Sequence, residues 1–182
     1  MRPYGNIYSP RDYGQRSVSI NNSISYGGGI VVICAEGSVV VDGTITSCGG
    51  YNGCPAGSGG SIDITAGKFS GSGKVNASGG NSGKDSNSYP GSGGRIAIKL
   101  TEPDATFDDF SGTIMAYGGS RSNNSLIAGS GTVFLKTGDE AMNEGTLIVE
   151  GKSTKAGYTV LGGDVVGLEF GTLIVTNASL RL

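Results

Sequence analysis

Four segments opening on Gly-Gly or Ser-Gly share one alternation of apolar residues, a second short element follows three of them, and glycine fills 35 of 182 positions. Together these point to an all-β chain. The expected architecture is a right-handed parallel β-helix, a solenoid of roughly five irregular, glycine-cornered coils with long loops on one edge. The length suits one domain, with a lead-in or cap over residues 1–26 and the repeats over 27–182.

The first element reads GGIVVIC from Gly28, GGSIDIT from Gly59, GGRIAIK from Gly93 and SGTVFLK from Ser130. It aligns Val31, Ile62, Ile96 and Val133 in one column and Ile33, Ile64, Ile98 and Leu135 in a second. Residues two apart share one face of a strand, so both columns point one way. Val32, Asp63, Ala97 and Phe134 point the other. The second element reads DGTITSCGG from Asp42, SGKVNASGG from Ser72 and SGTIMAYGG from Ser111, with columns Ile45, Val75, Ile114 and Ser47, Ala77, Ala116. A bulky residue, then a small one, then a glycine pair suits a strand entering a tight corner, where glycine is expected to supply positive φ.

The first column recurs at intervals of 31, 34 and 37 residues, so the strands keep their pattern while the loops change length. One such unit cannot bury its apolar face alone, and stacking supplies the core. EGTLIVEG and FGTLIVTN, 26 residues apart, extend the series toward the end, and the helix-like DEAMNE at Asp139 is short. YNGCPAG after Gly50, NSGKDSNSYPGS after Gly80 and SRSNNSLIAG after Gly119 are the longest loops. Stacked on one edge, they are the first candidates for recognition.

Thirteen basic and 15 acidic residues leave a net charge of −2, which argues against a phosphate-backbone binder. Histidine is absent, which removes the commonest general base and metal ligand. No long apolar run and no signal-peptide pattern occur in the sequence. The opening MRPYGNIYSP and the strand-like ending LIVTNASLRL read as a mature chain or a segment of a longer one. Cys34, Cys48 and Cys54 lie close together. Cys48 and Cys54 flank a turn-rich stretch and suit a loop-closing disulfide in an oxidising compartment, three unpaired small side chains being the alternative.

The run from PYGNIYSPRDYG through GGGIVVICAEGSVVVDGTITSCGG, GSGGSIDITAGKFSGSGKVNASGG, GSGGRIAIKL, FSGTIMAYGGS and AGSGTVFLKTG resembles the glycine-rich β-solenoid region of large secreted or surface-anchored, adhesin-like proteins of bacteria and unicellular eukaryotes. The resemblance covers most of residues 3–137. It implies a non-catalytic extracellular or cell-surface module, with no catalytic residues to carry over. Arg16 to Tyr26 stand where that family often has more glycine, and the cysteines are a further departure, suggesting a eukaryotic or strongly oxidising setting.

β-Helices often act on polysaccharides, which requires paired carboxylates or a metal-bound acid cluster with a basic partner. The best cluster is Glu102, Asp104, Asp108 and Asp109, preceded by Arg95 and Lys99 on outward strand positions where a solvated charge is the default. Neither an EF-hand nor a calcium-binding nonapeptide repeat is present, Gly83-Lys84 fails the phosphate-loop pattern, and no cofactor is expected. Sequons occur at Asn21, Asn76, Asn123 and Asn177, of which Asn21 and Asn123 fall in expected loops. Tyr51, Tyr89 and Tyr117 near the loop edge are candidates for stacking on sugar rings.

The leading reading is a non-enzymatic structural or adhesive module of a surface appendage, fibre or larger surface protein. Its alternative is a polysaccharide-active or glycan-binding β-helix. The final strand carries no proline, helix or charge run to stop pairing, so it is expected to meet either neighbouring coils of a longer solenoid or, end to end, a second copy of the chain, with the low net charge offering little repulsion.

Overall fold

The computed structural model of the chain describes residues 6–18, 24–51, 55–84, 88–122, 124–153, 156–161 and 169–181. Its strands are Ser17–Val18 (β1), Ile24–Ser25 (β2), Ile30–Val40 (β3), Thr44–Thr46 (β4), Ser61–Ser70 (β5), Lys74–Asn76 (β6), Arg95–Leu100 (β7), Thr113–Met115 (β8), Thr132–Lys136 (β9), Thr146–Glu150 (β10), Tyr158–Val160 (β11), Thr172–Thr176 (β12) and Ser179–Arg181 (β13). No helix occurs among the described residues, and the chain is all-β.

The expected right-handed parallel β-helix is not what these strands form. They divide into four sheets, ordered β1-β2, β12-β10-β9-β7-β5-β3, β11-β13 and β4-β6-β8. In the six-stranded sheet β3, β5, β7 and β9 run parallel. β10 then returns antiparallel to β9, and β12 lies parallel to β10. β1 and β2 are also antiparallel. The reversal after β9 has a local cause. Glu140 Oε2 accepts the Thr137 N–H at 2.8 Å, and Glu144 Oε2 accepts the Ala141 N–H at 2.8 Å. A carboxylate three residues ahead satisfies a main-chain donor as it does at a helix start, and here the two contacts tighten the connection into turns. DEAMNE is part of that connection, not a helix. GTLIV at 145–149 therefore doubles back along β9, and the expected coil count fails with it.

Across β3, β5, β7 and β9 the two apolar columns pair in register, Val31 with Ile62, Ile96 and Val133, and Ile33 with Ile64, Ile98 and Leu135. Ile45, Val75 and Ile114 align likewise across β4, β6 and β8. Both sets belong to one core, in which Ile62, Ile64, Val75, Ile96 and Ile98 are fully buried. Burial of each such side chain contributes about 1.5–3 kcal/mol. Between Ala35 and Ser38 the β3–β5 register shifts. Beyond it Phe69 packs against Phe107 and Phe110, with ring centroids 6.3 and 4.8 Å away.

A smaller core covers the opposite face of the six-stranded sheet. Ala97, Phe134 and Leu147 are buried there with Ile7 and Leu161. Residues 6–12 of the lead-in cross this face, with the Tyr8 ring edge-on to Phe134 at 4.9 Å and Ser61 Oγ donating to the Asp12 carbonyl at 2.7 Å.

The corner glycines work differently from the expectation. Among the described glycines only Gly71 has a left-handed backbone, φ 111. The repeated pairs are glycine because main chains touch. Gly94 N donates to the Ala77 carbonyl at 2.8 Å while Arg95 N donates to Gly60 O at 2.9 Å. A Cβ on Gly94 would fall inside the Gly59–Gly60 backbone, and one on Gly131 inside that of Gly93–Gly94.

Candidate functional site

The three long loops are bonded to one another through glycine. Gly57 N donates to Gly50 O, Gly80 N to Gly57 O, Gly91 N to Gly80 O, and Gly119 N to Gly91 O, at 2.8 to 3.0 Å. On the edge they form, Tyr51 and Tyr89 are 61% and 57% exposed. Arg121 Cζ lies 6.0 Å from the centroid of the Tyr89 ring, within cation–π range. The guanidinium is held there by Nε and Nη2, which donate to Ser88 O at 2.9 and 2.8 Å. Tyr89 therefore presents a half-open aromatic face beside a fixed cation. Nothing in the sequence pattern singled out Arg121, whose neighbour Tyr89 lies in a different loop.

Tyr117 is half-buried, with Glu150 at the end of β10 close enough for its charge to act on the phenol. Burial raises its pKa, and the Glu150 charge adds to the rise. Beside it a cavity of about 70 Å³ is lined by Ile114, Ala116, Val133, Leu135, Ile148 and Glu150. The three candidate tyrosines thus divide, with Tyr117 half-buried, Tyr89 beside Arg121 and Tyr51 exposed.

The acidic cluster sits in the connection from β7 to β8. Glu102 pairs with Lys68 at 3.4 Å. Asp104, at φ 57, donates its N–H to both Asp139 carboxylate oxygens at 3.2 Å. Asp108 Oδ2 accepts from Thr106 Oγ1 at 2.9 Å, and Asp109 gives its carbonyl to Gly71 N at 3.1 Å. These contacts hold the loop in place.

The basic residues ahead of the cluster correct the sequence reading, since Arg95 and Lys99 are each only 8% exposed. Lys99 Nζ approaches Asp63 Oδ1 at 2.6 Å and donates to Tyr8 O at 2.9 Å. Asp63, 2% exposed, also takes Arg11 and the Ser9 hydroxyl on Oδ2. The Lys99 ammonium is thus ion-paired with one carboxylate oxygen and Arg11 with the other. Arg95 Nη1 donates to Thr132 Oγ1 at 3.3 Å. The default of a solvated charge fails because residues 6–12 cover the face. Alternation gave the direction of these side chains and could not show the cover.

Cys48 is half-buried, accepting from Thr46 Oγ1 at 3.2 Å and donating to Asn76 O at 3.6 Å. Its candidate partner Cys54 lies outside the described residues, as do Asn21 and Asn123. Asn76 lies in β6 with its Oδ1 accepting from Ser78 N at 3.0 Å. Asn177, read from sequence as a strand residue, is exposed on the turn between β12 and β13 at φ 49. That is a surface position of the kind a glycan needs. No helix among the described residues is long and apolar enough to cross a membrane.

No protein-family model, no curated protein and no solved structure matches the chain.

Proposed function

We propose that the chain is a non-enzymatic structural or adhesive module of the cell surface or extracellular space. The observation that carries this reading is how its charged side chains are used. The acids and bases that offered the best case for polysaccharide chemistry hold loops and sheets together, Glu102 with Lys68, Asp104 with Asp139, and Lys99 with Asp63. Such groups rigidify a scaffold. The resemblance of the glycine-rich motifs to surface proteins supports the same reading, and so do the strand edges β3 and β12, which pair with no further strand among the described residues and suit assembly into a larger body.

Incubation with acidic and neutral polysaccharides, reading reducing ends and unsaturated products, tests it. No turnover is expected. Turnover abolished by Asp108→Asn would replace this reading with the enzymatic one. The exposed Tyr89 ring beside Arg121 favours glycan binding as a second reading, since an aromatic face and a cation suit a sugar bearing a negative group. Binding on a glycan array that is lost in Tyr89→Ala would support it, and binding unchanged by that substitution would remove it.

A further inference from the structure

The pentapeptide Gly-Thr-Leu-Ile-Val occurs at 145–149 and again at 171–175, and the two copies lie side by side, Leu147 against Leu173 and Val149 against Val175. Their fates differ. Leu147 and Val149 are fully buried, whereas Leu173, Ile174 and Val175 are 41%, 42% and 43% exposed. β12 is the last strand of its sheet, so one side of its backbone has no partner strand among the described residues.

Which groups face that side follows from the bonds to β10. Thr176 O accepts from Gly151 N at 2.9 Å, and at the strand's entry Gly145 O takes both Gly171 N at 3.0 Å and Thr172 N at 3.4 Å. In a parallel pair alternate residues turn to the neighbour, so Thr172, Ile174 and Thr176 serve β10. Leu173 and Val175 turn their N–H and C=O to the open edge.

We propose that this edge pairs with itself, β12 of one copy lying antiparallel to β12 of a second about a twofold axis through Ile174. The sequence Thr-Leu-Ile-Val-Thr reads as its own complement in that arrangement. Thr172 meets Thr176, Leu173 meets Val175, and Ile174 meets Ile174, each pair matched in character. Leu173 and Val175, whose donors and acceptors face outward, form the hydrogen-bonded pairs, and Ile174 forms the closer non-hydrogen-bonded pair at the axis. The join continues the six-stranded sheet and extends the contact β12 already makes with β10. No charge lies within β12 to oppose it, whereas Glu36 and a register shift interrupt the other open edge, β3. Pairing through one short strand buries less than the roughly 1,200 Å² of a standard interface, so the dimer is weak and concentration-dependent. This inference rests on the assembly part of the proposed function and names its partner, a second copy of the chain.

The test is oxidative crosslinking of the full chain with Ile174→Cys, beside Leu173→Cys and the parent, together with analytical ultracentrifugation at rising concentration. At the axis the Cα atoms are about 4.5 Å apart, within disulfide range. The expected result is a covalent dimer of Ile174→Cys at least tenfold above both controls, and a reversible dimer of the parent that Val175→Pro abolishes. Equal crosslinking of all three, a monomer at every concentration, or open-ended polymers would overturn the twofold register. The polysaccharide assay decides the non-enzymatic reading separately, so the two failures are distinguishable.

Discussion

Asp63 sits in a column with Val32, Ala97 and Phe134, where alternation places it away from the main core and solvent is the expected neighbour. The carboxylate instead lies under Ser9 and Arg11, with Lys99 on its other oxygen. Two cations and a hydroxyl compensate its desolvation, and removing it would leave Lys99, 8% exposed, without its countercharge. Loss of one partner from a buried pair costs about 3–5 kcal/mol. Asp63→Ala should therefore lower the free energy of unfolding by about 3 kcal/mol, read from urea denaturation, whereas Asp63→Leu combined with Lys99→Met should recover most of it. A loss under about 1 kcal/mol for Asp63→Ala would mean that the cluster adds little to stability. The residue was visible in the sequence and its partners were not, because Arg11 and Lys99 are 52 and 36 positions away along the chain.

Among the elements, the glycine corners show most directly why composition and geometry are separate questions. The repeated GG pairs marked the right places, but the physical reason is backbone contact rather than left-handed φ, except at Gly71. A pair of alanine substitutions separates the two reasons. At Gly94 an added methyl group would collide with the Gly59–Gly60 main chain, which cannot move without breaking the β5–β7 pairing. Overpacking of this kind costs about 1–3 kcal/mol, and a loss of about 3 kcal/mol is expected for Gly94→Ala. At Gly43, beside β4, nothing lies within 4 Å of the added carbon and φ is not left-handed. Gly43→Ala should be neutral or stabilising by up to about 1 kcal/mol, through a less flexible unfolded chain. Thermal and urea unfolding of both variants checks this, and equal effects would refute the contact explanation.

At the scale of the whole molecule, Tyr117, two residues beyond β8, lies within the electrostatic reach of Glu150 at the end of β10. Because burial and Glu150 raise the Tyr117 pKa, the folded chain keeps a proton that the unfolded chain loses near pH 10. Folding therefore binds more protons in that range, so the contribution is fully present below about pH 10 and falls away as pH rises through the folded value. Thermal midpoints between pH 9 and pH 11 should decline less in Tyr117→Phe than in the parent, and phenolate absorbance of the parent should contain a late-titrating component that Tyr117→Phe lacks. Identical decline in both chains would remove this contribution. The strand columns were legible without coordinates because the two-residue period is local and survives any loop length. The β9–β10 reversal was not, because GTLIV has the same alternation whether it runs on or doubles back, and direction depends on the two carboxylate-capped turns between Thr137 and Glu144. The cover over Asp63 and the exposure of β12 likewise depend on contacts between distant segments, and periodicity carries no information about those. Local alternation specified which residues share a face, and only tertiary packing decided which faces are covered, which edges stay open and which charges are buried.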